Sequence, residues 1–444
     1  MASVKLALRD FGVTDVIVTL KNVAPGDSVA LTASHAAVSD VVKHFRSSME
    51  SHRGAVAMSL GRRRRPQRPY RVYPNLGVVL GTVDERGYKA LLKHPDVKAV
   101  NGTPQISLIK PNKVAAAKAT KDVSWGIKRL RANELWAKDI TGKGVLVGHL
   151  DTGVDARHPA LKGAVASFVE IDLDGNRKPG AKPHDSDEHG THTAGTIVGR
   201  EVKGSEFGIA PGARLASTMV IEGGDVVARI LEGLDWVIGQ KVKVLSMSLG
   251  LRGYHEDFVA LMQAVRNRGV LPVIAVGNEG PGTSRSPGNY EIVLSVGACD
   301  NNDEVAGFSS SQSLLRPVKR RVPDFVAPGV GILSSIPNGG FAKMDGSSMA
   351  TPHIAGLAAL LWEAKPSATV DEIENAILKS CTLPKTMTVA RANRGVPDAV
   401  KALAILQGKS ATAGKTTAPA VKKQAVRKNS TARKRSTKTK RMSS

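Results

Sequence analysis

Short apolar runs alternate with amphipathic stretches between about residues 128 and 406, and this alternation constrains the fold more than any other feature. The apolar runs have the length and the Val, Ile and Leu content of buried strands, whereas the stretches between them repeat apolar residues at helical spacing. Such alternation predicts an α/β fold with a mostly parallel sheet covered by helices on both faces. The predicted strands are 145–150, 214–221, 242–247, 270–276 and 292–297, and predicted helices include 225–239 and 254–268.

The segment Gly346–Gly356 predicts a helix of small residues that begins next to Ser348. A serine in that position is a candidate nucleophile. Because a serine hydroxyl is a weak nucleophile at its own pKa, the assignment requires a neighbouring base and a group that orients the base. We expect such groups where strands end, since sites in open parallel sheets lie beyond the carboxyl ends of the strands.

Two further motifs supply a base and an orienting carboxylate. Asp151 ends the first predicted strand in the sequence Asp-Thr-Gly, and His189 lies in the sequence His-Gly-Thr-His. Each motif alone is more often a strand-ending turn or a helix start than a catalytic group. His189 and His192 also suggest half of a metal site, but no third ligand stands near them at zinc-site spacing, which argues against a metal.

Asn278 follows the apolar strand 270–276 and is the candidate for stabilising a transition state. Attack on a peptide carbonyl places negative charge on the carbonyl oxygen, and a preorganised amide donor stabilises that charge. The alternative is that Asn278 caps the strand in an Asx turn, which the neighbouring glycines permit.

Taken together, in the order Asp, His, Ser, these motifs resemble those of the subtilisin-like serine proteases. The sequence Gly-Ser-Ser-Met-Ala-Thr-Pro-His departs from that family only at Ser347, where threonine is usual. The resemblance implies a subtilisin-like fold and a serine endopeptidase that acts on proteins or peptides through an acyl-enzyme. It assigns the nucleophile to Ser348, the general base to His189 and the orienting acid to Asp151. It also implies that Asn278 donates to the oxyanion.

The same resemblance indicates where the substrate lies. Ser248, Leu249 and Gly250 match the family segment that pairs with the substrate backbone, and Gly277 is assigned to the same groove. Without the other motifs, the segment from Ser248 would be interpreted as an ordinary strand-ending turn.

Two arginine-containing segments each allow more than one interpretation. Residues 281–288 resemble a wall of the primary specificity pocket, where Arg285 would favour an acidic side chain, but a surface arginine on a loop is the favoured interpretation. The Arg62–Arg65 run suggests a processing site or an anion-binding loop, and a solvated loop is favoured.

Residues 1–112 are assigned to a separate small domain, followed by a linker at 113–127 and a peptidase domain at 128–407. The small domain has the β-α-β-β-α-β order of a ferredoxin-like α+β fold, and it resembles the inhibitory propeptide of many subtilisins. The resemblance implies an inhibitor that assists folding and is then removed by self-cleavage, which we expect between Ile109 and Thr120. A permanently attached domain is the alternative.

The chain has a formal net charge of +24, and residues 408–444 hold twelve of its Lys and Arg residues without any Asp or Glu. No apolar period runs through this tail, so we expect it to be disordered. Such a tail can bind nucleic acid or another anionic surface without sequence specificity, and its lack of aromatic residues argues against base stacking. A solubilising or targeting tail is the alternative.

Composition excludes other classes. No apolar run reaches the length of a membrane span, about 20 residues. Residues 1–20 lack the continuous apolar segment of a secretory signal, so we expect an intracellular protein. The two cysteines exclude a disulfide-rich framework. We expect no cofactor and no calcium at the site common in the family, because Ala160 and Val202 stand where ligands would be needed; calcium at another site stays open.

Two other functions were weighed against a peptidase. A catalytically silent protease fold that serves as a scaffold for nucleic-acid binding is disfavoured, because all four candidate catalytic groups are present. An α/β-hydrolase esterase is excluded by the missing Gly-x-Ser-x-Gly elbow and by the different chain order of the candidate residues.

Overall fold

The computed structural model describes residues 2–21, 36–45, 70–104, 106–221, 223–315 and 319–408. The Arg62–Arg65 run and the basic residues from 409 onward, for which predictions were made above, lie outside these ranges. The described residues belong to one compact unit of the chain.

The described chain contains both helices and strands. The helices are α1 (Ala2–Phe11), α2 (36–45), α3 (Glu85–Lys93), α4 (Trp125–Leu130), α5 (Asn133–Trp136), α6 (His189–Val198), α7 (Val226–Gly239), α8 (Val259–Asn267), α9 (Ser347–Ala364), α10 (Val370–Ser380), α11 (Val389–Ala392) and α12 (Ala399–Leu406). None of these helices is long and apolar enough to cross a membrane.

The strands range from two to eight residues in length. They are β1 (Val13–Leu20), β2 (Tyr70–Tyr73), β3 (Val78–Asp84), β4 (Val97–Gly102), β5 (Ser107–Leu108), β6 (Lys113–Ala117), β7 (Leu146–Asp151), β8 (Val165–Glu170), β9 (Arg214–Met219), β10 (Val244–Met247), β11 (Leu249–Arg252), β12 (Leu271–Ala275), β13 (Arg285–Ser286), β14 (Leu294–Cys299), β15 (Gln312–Leu314), β16 (Arg320–Val322), β17 (Phe325–Pro328), β18 (Ile332–Ile336) and β19 (Gly340–Asp345).

Seven strands form the central sheet, in the order β17-β14-β12-β10-β7-β9-β8, and every neighbouring pair is parallel. The strands are apolar on both faces because a hydrophobic core lies on each side. Helices α6 and α9 contribute to one core, and α7 and α8 contribute to the other. The predicted parallel α/β sheet with helices on both faces is therefore confirmed.

Helix α9 is buried from Ser347 to Trp362. Its small residues let neighbouring elements approach closely: a Cβ added to Gly356 would lie 2.6 Å from Cβ of Ile209. Close packing of this kind leaves little room for the helix to shift. The first turn of α9, which carries Ser348, is therefore held firmly at the carboxyl edge of the sheet.

The N-terminal part of the chain forms a second, antiparallel sheet in the order β2-β3-β1-β4. Helices α1, α2 and α3 cover one of its faces, and the opposite face shares a hydrophobic core with α7. This arrangement agrees with the expected small α+β domain. The elements from β1 to β4 follow the predicted order β-α-β-β-α-β, whereas α1 was not predicted.

A segment at residues 106–117, called the strap below, connects the two sheets. Its β5 pairs antiparallel with β11, and its β6 pairs antiparallel with β19. The linker predicted over 113–127 therefore begins as a paired strand and not as a free tether. The physical reason is that β19 would otherwise present unpaired backbone groups along one edge.

Candidate active site

Asp151 is the last residue of β7 and His189 is the first residue of α6, and the two buried side chains meet at the carboxyl edge of the sheet. Nδ1 of His189 lies 2.6 Å from Oδ1 of Asp151, and the backbone N–H of Thr152 donates to the same oxygen at 2.8 Å. Because an ionised carboxylate only accepts hydrogen bonds, the proton of a neutral His189 lies on Nδ1. Nε2 is then available as a base.

The two groups shift each other's pKa. Burial alone would raise the pKa of Asp151, but His189, His149 and the Thr152 N–H outweigh burial and hold that pKa below its ordinary value. Burial alone would lower the pKa of His189, but the Asp151 carboxylate outweighs it and raises that pKa above its ordinary value. His189 is therefore a stronger base than a free imidazole.

Ser348 is the second residue of α9 and is fully buried. Its Oγ donates to the backbone oxygen of Ile109 in the strap, at 2.5 Å. Nε2 of His189 has no hydrogen-bond partner among the described residues. The serine hydroxyl thus donates to the strap, and Nε2 of His189 keeps a free lone pair.

Asn278 lies just beyond β12, and α9 fixes its amide group. Its Oδ1 accepts hydrogen bonds from the backbone N–H and from the hydroxyl of Ser347, each at 2.8 Å. This leaves Nδ2 facing the strap, where it donates to the backbone oxygen of Lys110 at 2.8 Å. The side chain therefore contacts α9 and the strap rather than forming an Asx turn. The sequence analysis missed the role of the Ser347 hydroxyl.

The strap lies in the groove that the resemblance assigned to the substrate backbone. Strand β11 pairs antiparallel with β5. Just before β11, the backbone oxygen of Ser248 accepts a hydrogen bond from the N–H of Ile109 at 3.0 Å. The paired residues are Leu249 with Leu108, Gly250 with Ser107, and Ser248 with Ile109. Ser348 and Asn278 face this strap from the other side.

Arg285 is buried in the wall of this groove, so the surface position favoured from the sequence is wrong. Its Nε donates to the carboxylate of Glu279 at 2.9 Å, and its Nη1 donates to the backbone oxygen of Gly250 at 3.0 Å and to Oγ of Ser107 at 3.1 Å. A Cβ added to Gly277 would lie 2.7 Å from Glu279. The pairing of β13 with β11 turns the arginine inward, which the loop composition did not indicate.

Among the described residues, no group of three or more His, Cys, Asp and Glu side chains is placed to hold a metal ion. Nε2 of His192 lies 2.9 Å from the backbone oxygen of Ile332, so this imidazole ties α6 to β18. Ala160 is buried in a short 3₁₀ turn, and Val202 lies in a surface loop.

Comparison with known proteins gives the same class of enzyme. Residues 142–414 match the family model described as the subtilase family. The chain is 36% identical to M-protease of Shouchella clausii (strain KSM-K16) over 66% of this chain and 73% of that protein. It is 38% identical to the major intracellular serine protease of Bacillus subtilis (strain 168) over 53% of this chain and 74% of that protein. It is 32% identical to subtilisin E of the same organism over 68% of this chain and 74% of that protein.

A carboxylate, an imidazole and a serine at the carboxyl edge of a parallel sheet define a serine hydrolase. With a family match over more than half of its length, the chain belongs to the subtilase family. It is a serine endopeptidase, an enzyme that hydrolyses peptide bonds.

The hydroxyl of Ser347 provides a test of how Asn278 is held. Ser347→Ala removes one of the two donors to Oδ1 of Asn278 and keeps the backbone donor. We expect kcat for a peptide amide to fall about three- to tenfold with little change in KM, because one hydrogen bond contributes about 0.5–1.5 kcal/mol. Ser347→Thr keeps the hydroxyl and should retain the parent kcat. An unchanged kcat in the alanine variant would show that the backbone N–H alone fixes the amide.

Proposed function

We propose that Asp151, His189 and Ser348 form the catalytic triad of this endopeptidase and that Asn278 is the oxyanion donor. The observation that carries this proposal is the 2.6 Å hydrogen bond between His189 and Asp151, which leaves Nε2 of His189 without a partner among the described residues. The hydroxyl of Ser348 contacts a peptide carbonyl of the strap. The cleft thus holds a base, a nucleophile and a peptide backbone together.

The proposed reaction follows from these positions. Nε2 of His189 takes the proton of Ser348 as Oγ attacks the carbonyl carbon of the substrate. Nδ2 of Asn278, together with the backbone N–H of Ser348 at the start of α9, donates to the oxygen that becomes negative. His189 then gives its proton to the leaving amine, and water hydrolyses the acyl-enzyme by the same route. These steps use protein groups and water alone, so we propose that catalysis needs no cofactor.

We further propose that the strap blocks the cleft of the precursor. Ile109 is buried beneath the catalytic edge, and its carbonyl contacts Ser348, whereas Asn278 donates to the next carbonyl, that of Lys110. Since neither carbonyl has both the nucleophile and the amide donor, neither peptide bond is held for attack. Self-cleavage, which we expect between Ile109 and Thr120, would therefore require the strap to move.

Contacts of the N-terminal sheet support the proposal that this domain is an inhibitor of its own chain. The backbone N–H groups of Asn75 and Leu76 donate to Oδ1 of Asp235 on α7, at 2.7 and 3.1 Å. The guanidinium of Arg71 donates to the backbone oxygen of Gly175 at 3.0 Å. These contacts hold the domain that precedes the strap against the rest of the chain.

The blocked cleft can be tested by labelling the full-length chain with a fluorophosphonate, which reacts with an activated serine. Ile109→Asp places a carboxylate in a buried position and should displace the strap, because burying an unpaired charge is costly. We expect labelling at least tenfold faster than in the parent. Lys110→Ala changes an exposed neighbour and should label at the parent rate.

Ser348→Ala is the control for the site itself and should abolish labelling in either background. Labelling that survives in Ser348→Ala would contradict the assignment of the nucleophile. If Ser348 labels equally fast in the parent and in Ile109→Asp, the triad assignment stands and the proposed block by the strap fails.

We propose that the tail binds nucleic acid through its positive charge. The support is compositional: residues 409–444 carry twelve Lys and Arg residues and no acidic residue. Neutralising phosphates releases counterions, so such binding weakens steeply with salt. A chain that ends at residue 408 should leave a duplex-DNA column at lower salt than the full chain. Equal retention of the two proteins would remove this role.

Three expectations from the sequence stay predictions. They are the domain limits at residues 112, 127 and 407, the intracellular location, and a calcium requirement limited to sites other than the one at Ala160 and Val202. N-terminal sequencing of the active enzyme, cell fractionation and activity after chelation are the respective measurements.

A further inference from the structure

A second imidazole lies behind the carboxylate of Asp151. His149 stands two residues before Asp151 on β7, and because side chains alternate along a strand, both face α6. On α6, Thr193 lies one helical turn after His189, on the same face of the helix. Two strand side chains therefore meet two helix side chains: Asp151 contacts His189, and His149 contacts Thr193.

These side chains form one hydrogen-bonded chain. Nδ1 of His149 lies 2.9 Å from Oγ of Ser217 on the neighbouring strand β9, and Nε2 of His149 lies 2.8 Å from Oγ1 of Thr193. Oγ1 of Thr193 lies 3.1 Å from Oδ2 of Asp151, and Nε2 of His149 is 3.7 Å from the same oxygen. All four side chains are buried.

The negative charge on Asp151 determines which group donates each of these hydrogen bonds. The Thr193 hydroxyl has one proton and also lies within 3.2 Å of two carbonyl oxygens of its own helix. A carboxylate is the stronger acceptor, and Thr193 can donate to it only if it does not donate to His149. Burial lowers the pKa of His149, so its imidazole is neutral with a single N–H. That proton lies on Nε2 and is donated to Thr193, and Ser217 donates to Nδ1.

We propose that His149 and Thr193 are positioning residues for the catalytic carboxylate: their aligned donors fix Oδ2 of Asp151 and so turn Oδ1 toward His189. This inference rests on the proposed roles of Asp151 and His189 and adds two residues to them. With Thr193 on Oδ2, and His189 and the Thr152 N–H on Oδ1, both carboxylate oxygens have donors. A carboxylate that accepts from more donors attracts each of them less. The hydrogen bonds from His149 and Thr193 therefore also limit the proton affinity of His189.

The other titratable side chains around His189 are not replaced in the variants tested below. Asp185 and Asp187, in the loop before α6, add to the effect of Asp151 in raising the pKa of His189. His192, on the same helix, is neutral because burial lowers its pKa to about 3. A change in the titration of His189 can therefore be assigned to the donors on Asp151.

The experiment is a pH titration of His189 by histidine-selective NMR, in full-length protein that carries Ser348→Ala to prevent self-digestion. A His189→Gln sample assigns the signal. Thr193→Val removes the hydroxyl at nearly constant volume, and we expect the midpoint of His189 to rise by about 0.5 to 1 pH unit, because Asp151 loses one hydrogen bond and attracts the imidazolium more strongly. Thr193→Ser keeps the hydroxyl and should restore the parent midpoint.

Thr196→Val is the matched control, because Thr196 is buried on the same helix and its hydroxyl donates to the carbonyl of His192 at 3.0 Å. This variant should leave the midpoint of His189 unchanged. An unchanged midpoint in a folded Thr193→Val protein would overturn the proposal and leave Thr193 with a packing role alone.

His149→Phe gives a second comparison should Thr193→Val fail to fold. It removes the donor to Thr193, and we expect a smaller rise of the His189 midpoint; no rise would overturn the proposal. Because the titration needs no catalysis and no open cleft, its failure can be told apart from a failure of the peptidase assignment or of the proposed block by the strap.

Discussion

The buried hydrogen bond between Asp151 and His189 is the contact on which the rest of the site depends. A carboxylate removed from water is costly unless donors surround it. The fold meets this requirement by ending β7 where α6 begins, so that a strand and a helix supply both partners. The same bond fixes the proton on Nδ1 of His189 and leaves Nε2 free for the proposed role of base. Without it, Ser348 would be one more buried hydroxyl at the start of a helix.

Two close-packed elements carry the groups that this pair serves. Helix α9 carries Ser348 and also holds Asn278 through Ser347, so one helix turn fixes both the proposed nucleophile and the proposed oxyanion donor. The strap reaches the same site through two short strands: β5 pairs with β11, and β6 pairs with β19 in a different sheet. In the arrangement proposed here, the enzyme is assembled before it is active, and access to the cleft is what changes on activation.

Local patterns in the sequence predicted the parallel sheet and brought the three motifs together, because strand ends and short motifs depend on neighbouring residues. The strap could not be predicted in this way. Residues 113–117 are mostly alanine and have little intrinsic preference for a strand, so their structure depends on pairing with β19, far along the chain. The burial of Arg285 was not predicted because it follows from the β11–β13 pairing. His149 was missed for a related reason, since its partners lie on α6 and β9.

The central claim is that Ser348, activated by His189 and Asp151, forms the acyl-enzyme. The most direct measurement is rapid-mixing hydrolysis of a nitrophenyl ester by the Ile109→Asp enzyme, in which the strap is expected to be displaced. Acid quenching and mass mapping of the adduct follow. The account predicts a burst of nitrophenol, an acyl group on the peptide that contains Ser348, and a much slower burst in His189→Ala. An acyl group on any other residue, or an equal burst in Ser348→Ala, would contradict it.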